Sequence, residues 1–216
     1  AGVDVISDYL GRFGFGQVTS LDLPEALPGI LPSRAWKKRT GRGSWFPGDS
    51  LNLSIGQGWM LATPLQLATA SSVMANRGVW KQPRMLKGVV QQADVSEGLQ
   101  EINLGNGADV ARNSLLEGRV IDITGLEGTG AVLPDVQLNT NEYWQKIIDG
   151  MIAVVHGKRG TARKIGKEID FQIAGKTGTA QVVGIKQDEE YDAEKLDERN
   201  RDHALFISFA PADKPE

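Results

Sequence analysis

The residues best suited to chemistry form one short run, Ala174-Gly175-Lys176-Thr177-Gly178-Thr179-Ala180, inside the segment FQIAGKTGTAQVV at 171–183. That segment predicts a strand. Strand centres usually carry β-branched and aromatic side chains, which pack well on a pleated surface, and glycine weakens them. Two glycines and two alanines in the middle therefore cost stability, and close approach of another molecule to the backbone would account for the cost. Lys176 brings a positive charge, Thr177 and Thr179 bring hydroxyls, and Gly178 leaves backbone N–H and C=O groups reachable. Such a strip can hold an extended anionic substrate by main-chain pairing and carboxylate capture. A tight hairpin, or a packed strand with a solvated lysine, is the other reading of the same residues. A phosphate-binding loop is excluded, because the glycine it requires five positions before Gly175 is Asp170.

The elements that must position this strip are partly legible. HALFISFA at 203–210 predicts a second strand, joined to the first across a highly charged excursion at 188–202, so the two form an antiparallel pair. Asn139 and Glu142 make a capping-box start for a helix with the stripe Trp144, Ile147, Ile148, Met151, Ile152 and Val155, ending at Gly157. Thr63-Pro64 starts another helix, with Thr as N-cap and Pro at the first helical position, and Asn76 to Gly78 ends it. Ile6, Tyr9, Leu10 and Phe13 mark a short helix before Gly14. Between 14 and 52 the pattern dissolves into Pro and Gly and predicts one long ordered loop, a length that is uncommon unless functional. It holds a basic run of Arg34, Lys37, Lys38, Arg39 and Arg42 beside Trp36 and Trp45, either a solvated loop face or a patch for an anionic polymer or partner. A strand-like stretch at 85–90 leads into an irregular β excursion over 91–137.

Composition narrows the chemistry. The chain of 216 residues has no Cys, which removes disulfides, thiol nucleophiles and thiolate zinc sites. Two His, His156 and His203, are too few for a histidine-rich metal cluster, so no metal or cofactor is expected. His156 suits a helix end as a partner for the dipole, and His203 a solvated strand start. Trp59 beside Gly58 is either a packing anchor or a stacking platform. A net charge of −3 argues against bulk nucleic-acid binding, and no stretch is long and apolar enough to cross a membrane. Glycine is in surplus: 26 residues, about 12% against a usual value of roughly 7%. Composition and periodicity support a mixed α and β chain with many loops.

Lys176-Thr177-Gly178 followed by Thr179-Ala180-Gln181 resembles the third signature of the penicillin-binding, serine-acylating transpeptidases, whose motifs are S-x-x-K, S-x-N and K-T-G. Gly48-Asp49, Ser54-Ile55-Gly56-Gln57-Gly58, Thr63-Pro64-Leu65-Gln66, Asn76-Arg77-Gly78 and Gly160-Thr161-Ala162 follow the order found in the class B penicillin-binding proteins. Arg34-Ala35-Trp36-Lys37, the 188–203 excursion and Phe209-Ala210-Pro211 resemble the elongation-specific branch of that class. The resemblance implies an α/β (α+β) fold with a penicillin-binding/β-lactamase-like antiparallel sheet flanked by helices. It implies D,D-transpeptidation of D-Ala-D-Ala stem peptides through an acyl-enzyme, with inhibition by β-lactams. Lys176, Thr177 and Thr179 would bind the stem carboxylate, the Thr179 backbone N–H would be an oxyanion donor, and Gly178 would keep the strand open. Implied partners are peptidoglycan stem peptides, β-lactams and the cell-elongation machinery. The implied location is the periplasmic face of the inner membrane, with the anchor outside this chain.

No Ser is followed three residues later by Lys, so the nucleophile and its base are missing from residues 1–216. Ser50-Leu51-Asn52 fits S-x-N by letters only. The expectation is a part of one transpeptidase domain, incomplete at both ends, which cannot be acylated by itself. A non-catalytic penicillin-recognising sensor or scaffold is the alternative and predicts full closure of sheet and helices; a class D-type β-lactamase fits the long loop and the charged excursion poorly.

Overall fold

The computed structural model of the chain describes residues 2–20, 22–23, 25–85, 89–91, 119–121, 133–182, 194 and 196–215. They belong to two compact units, the larger made of 1–17, 28–81 and 133–216 and the smaller of 18–27 and 82–132.

In the larger unit, helix α1 (Val3–Gly11) is followed by α2 (Arg34–Arg39), α3 (Pro47–Ser54), α4 (Pro64–Ala75) and α5 (Glu142–His156). Strands β3 (Ala174–Ala180) and β4 (His203–Phe209) close the order, after β1 (Val89–Gln91) and β2 (Arg119–Ile121) of the smaller unit. The expected antiparallel pair is present, in the register Ala174↔Phe209, Lys176↔Ile207, Gly178↔Leu205 and Ala180↔His203. Helix α5 packs on β3 and α4 on β4, so the sheet is flanked by helices as the α/β reading requires. Ile148 and Met151 of α5 bury Ala174 and Ala212, while Val155 packs with Ala162 and Ile173. Trp144 joins Phe13, Ala70, Val73 and Val136 in a third cluster.

The start of α4 follows its sequence signal atom by atom. Thr63 Oγ1 accepts from the Gln66 N–H at 3.1 Å, and Gln66 Oε1 accepts from the Thr63 N–H at 3.0 Å. The same Gln66, 1% exposed, donates through Nε2 to the carbonyls of Gly14, Gln17 and Pro28. A buried amide is tolerable only when satisfied in this way, and here it ties the helix start to the loop it underlies.

Two expectations need correction. Helix α5 starts at Glu142 with Asn141 at the cap and no side-chain cap bond, so Asn139 and Glu142 do not form a capping box; Ile147 is exposed, and the buried stripe is Trp144, Ile148, Met151 and Val155. The 14–52 segment is not one loop. Ser33 caps α2 by accepting from the Trp36 N–H at 3.1 Å. Pro47 opens α3, where Asp49 accepts from the Phe46 N–H at 2.7 Å. Helices of six and eight residues show no apolar period, and caps and tertiary contacts hold them instead.

In the smaller unit, β1 (Val89–Gln91) pairs antiparallel with β2 (Arg119–Ile121) through Val89↔Ile121, Val90↔Val120 and Gln91↔Arg119. Ser20 Oγ donates to Asp22, which also accepts from the Met85 N–H at 2.9 Å. The rest of the 91–137 excursion, apart from 119–121 and 133–137, lies outside the described residues, as do 188–193 and 195 of the charged excursion, which carries the 3₁₀ turn Glu198–Asn200.

Candidate active site

β3 and β4 are the two strands of their sheet among the described residues. One edge of β3 is therefore taken by β4 and the other is open there, so every second residue turns its N–H and C=O outward. Along β3 burial falls from complete at Ala174 and Gly175 to open at Lys176, Gly178 and Thr179. The buried end docks on α5; the open end carries the candidate chemistry.

Lys176 is exposed, and its Nζ donates to the Thr177 carbonyl at 2.6 Å. No carboxylate lies within ion-pairing distance of it among the described residues. Strand alternation puts Lys176 and Gly178 on one sheet face and Thr177 and Thr179 on the other. A single ligand group can meet the ammonium and the hydroxyls together only by lying along the open edge.

The two glycines of the strip differ. A Cβ on Gly178 would meet nothing closer than Leu205 Cβ at 3.9 Å, so there is open space on that side of it. A Cβ on Gly175 would fall 2.6 Å from Cζ and 2.8 Å from Cε2 of the Phe206 ring. Gly175 is small because β4 packs an aromatic ring across it, which is a structural reason and not a ligand's.

A residue without an assigned role in the sequence reading joins the site. Thr161 Oγ1 lies 2.9 Å from Thr177 Oγ1. The chain after α5 folds back on its last turn, with the Gly157 N–H on the Ala153 carbonyl and the Ala162 N–H on the Val154 carbonyl. Burial of Ala162 against Val155 and Ile173 fixes that return and brings Thr161 to β3. The signal was the polar residue in Gly160-Thr161-Ala162, but pairing it with a hydroxyl on β3 needed the fold.

His156 stands in the last turn of α5, and its Nε2 accepts from the Ile173 N–H at 3.0 Å, linking the end of that helix to the residue before β3. His203 is exposed at the start of β4, as expected. Among the described residues no three His, Asp or Glu side chains converge on a metal position.

The basic run contains the largest departure. Lys37, read with its neighbours as either a solvated face or a patch for an anionic partner, is 3% exposed, with Nζ 2.6 Å from Asp49 Oδ2. Three rings surround the ammonium, with centroids at 4.4 Å for Trp59, 5.1 Å for Phe46 and 5.8 Å for Trp45. The Lys37 hydrogen bond, helped by the Phe46 N–H, holds the Asp49 carboxyl below its ordinary value. Trp59 is a packing member of this cluster, 5.9 Å from Trp36 and 6.3 Å from Trp45. Lys38, Arg39 and Arg42 stay exposed without an ion pair among the described residues, and Arg42 lies over Trp36.

Comparison with known proteins gives these features a family context. The model of the penicillin-binding protein transpeptidase domain matches residues 1–216. The chain is 39% identical over 218 residues to the peptidoglycan D,D-transpeptidase MrdA of Acinetobacter baumannii, covering all of this chain and 27% of that protein. It is similar to the crystal structure of Pseudomonas aeruginosa PBP2 in complex with WCK 5153, at TM-score 0.70 and 36% identity, covering 100% of this chain and 38% of that one. It is also similar to PBP2 in the complex of that protein with MreC from Helicobacter pylori, at TM-score 0.68 and 25% identity, covering 100% and 31%. The chain thus spans less than a third of the length of the curated relative it matches.

Proposed function

The chain belongs to the penicillin-binding protein transpeptidase domain family, on its PBP2 (MrdA) side, and from that premise we propose that it forms part of a peptidoglycan D,D-transpeptidase of cell-wall elongation. β3 is the substrate strand in this reading. An extended stem peptide pairs with its open edge, and the terminal carboxylate meets the Lys176 ammonium and the hydroxyls of Thr177 and Thr179. The Thr179 backbone N–H stabilises charge that develops on the attacked carbonyl oxygen only in the tetrahedral state, and Gly178 leaves room for the substrate backbone. A β-lactam carboxylate occupies the same place.

The reaction requires a serine. A serine hydroxyl attacks the carbonyl of the penultimate D-Ala, the terminal D-Ala leaves with a proton, and the amine of a neighbouring stem resolves the acyl-enzyme. No serine of residues 1–216 stands three residues before a lysine, so acylation is assigned to the full-length protein, held at the periplasmic face of the inner membrane and working with the elongation machinery. The complex of Helicobacter pylori PBP2 with MreC supports that choice of partner.

The observation that carries the reading is the exposed Lys176, without an ion pair among the described residues, on a strand whose second edge is open there. The test is labelling of the full-length protein with a fluorescent penicillin. Lys176→Ala removes a charge-assisted hydrogen bond of about 1.5–3 kcal/mol and slows acylation roughly 10- to 100-fold. Unchanged labelling of that variant would overturn the assignment.

A further inference from the structure

A second concentration of positive charge follows the end of α5, in a segment to which the proposed chemistry gives no role beyond Thr161. Lys158, Arg159, Arg163, Lys164 and Lys167 put five cations into ten residues, and all five are exposed. None makes an ion pair among the described residues, although Glu168 and Asp170 follow closely in sequence. Like charges held this close repel one another, and an anion would relieve the repulsion. Attraction to the C-terminal carbonyls of α5 does not account for five cations, because the Gly157 and Ala162 N–H groups already occupy the carbonyls of Ala153 and Val154.

Part of the segment forms an open recess of about 490 Å³, lined by Val155, His156, Lys158, Arg163, Gly166 and Lys167. Its polar side chains present donors. Arg163 is steadied by a bond from Nη1 to the Lys158 carbonyl at 3.3 Å. His156 Nε2 accepts from the Ile173 N–H, so the neutral ring carries its proton on Nδ1. A Cβ on Gly166 would lie 3.0 Å from that Nδ1, and glycine leaves the donor uncovered. Three cations and an imidazole N–H around one recess are suited to carboxylates or other oxyanions.

Spacing, shape and one apolar residue choose among the anions. The cations are spread along the segment, which suits several anionic groups on one chain better than a free ion. The surface is concave, so a flat anionic bilayer would meet only its rim. Ile165, 44% exposed, stands between Lys164 and Lys167 and offers an apolar contact that a phosphodiester backbone cannot match. We propose that the 156–167 recess is a docking site for an acidic segment of a partner protein, with an apolar side chain among its carboxylates to meet Ile165.

Fluorescence anisotropy of the labelled peptide Glu-Asp-Glu-Leu-Glu-Asp-Glu with the full-length protein tests the proposal. The peptide binds saturably at low salt, and added salt weakens the binding. Its counterpart with Gln and Asn for the acids does not bind, and Ser in place of Leu weakens binding about threefold. Lys158→Gln with Arg163→Gln and Lys167→Gln weakens it about tenfold or more, as the loss of three exposed ion pairs requires, while circular dichroism stays unchanged. Should that variant misfold, Lys167→Gln alone weakens binding about threefold. Lys38→Gln with Arg39→Gln and Arg42→Gln removes as much charge from the other basic run and leaves binding within about twofold. No binding of the acidic peptide, equal binding of its uncharged counterpart, undiminished binding by the 158–167 variants, or an equal loss in the 38–42 variant would each overturn the docking site. Displacement of the peptide by inorganic phosphate or by phosphatidylglycerol vesicles at equal charge concentration would overturn it too. Penicillin labelling of the same protein reads the β3 assignment separately.

Discussion

Lys37 and Lys176 are the same residue type in opposite circumstances. Lys37 is enclosed by three aromatic rings and meets Asp49 at 2.6 Å, so its charge is spent inside the molecule. Lys176 is exposed on a strand and donates to a neighbouring carbonyl, with no carboxylate in ion-pairing distance among the described residues. A buried charge must be paired, because desolvation is otherwise prohibitive, and a charge that captures a ligand must be unpaired until the ligand arrives. The difference separates a lysine that holds two short helices together from one that, in the proposed function, captures an anion.

The sharpest way to break this comparison is to replace each lysine by Met in the full-length protein and follow urea unfolding by tryptophan emission. Lys37→Met leaves the Asp49 carboxylate largely buried without its partner and costs about 3 kcal/mol. Lys176→Met changes stability by less than about 0.5 kcal/mol and slows penicillin acylation. Equal stability effects would collapse the distinction.

The glycines of β3 give the next test. Gly175→Ala drives a methyl into the Phe206 ring and costs about 1–3 kcal/mol, which Phe206→Ala in the same chain partly restores because the two sites share one contact. Gly178→Ala has open space on its side and leaves stability within about 0.5 kcal/mol. Matching losses at the two positions would mean that the strip is packed along its whole length.

Thr161→Val removes the hydroxyl that meets Thr177 and lowers the acylation rate constant about fivefold, in line with one hydrogen bond of about 1 kcal/mol, with Thr161→Ser restoring it. No change would make Thr161 a bystander of the open strand.

The pH dependence of the closed cluster is the smallest effect. The Asp49 carboxyl titrates below its ordinary value of 3.8 in the folded chain, so below 3.8 the unfolded state takes up its proton first. The stabilisation is therefore complete above 3.8 and lost as pH falls through the lower folded value. Acid unfolding of Asp49→Asn should lack that component; an identical acid profile would show that the pair does not couple to folding.

Much of the scaffold was legible because its signals are local. Thr63, Pro64 and Gln66 of α4 report through atoms at most three residues apart, and the stripe of Trp144, Ile148, Met151 and Val155 reports through helical period. The β3–β4 pair was legible as two strand-like runs. Helices α2 and α3 were not, because neither carries an apolar period and both depend on caps and on a lysine–aromatic cluster assembled from 36 to 59. Asn139 misled because a capping box can be written in the sequence two residues before the true cap, Asn141.

By itself the sequence determined which residues could do chemistry: a Lys176-Thr177-Gly178-Thr179 strip on a strand, with no thiol and too few histidines for a metal cluster. Side-chain type and strand spacing are local properties, and they suffice for that. Only the tertiary structure decided what each charge and each gap is for. It placed Asp49 and three rings around Lys37, Phe206 across Gly175 and Thr161 against Thr177, and it left Lys176 without an ion pair among the described residues. Burial and pairing are properties of what the rest of the chain brings alongside, and no window of sequence around a lysine or a glycine contains its partner.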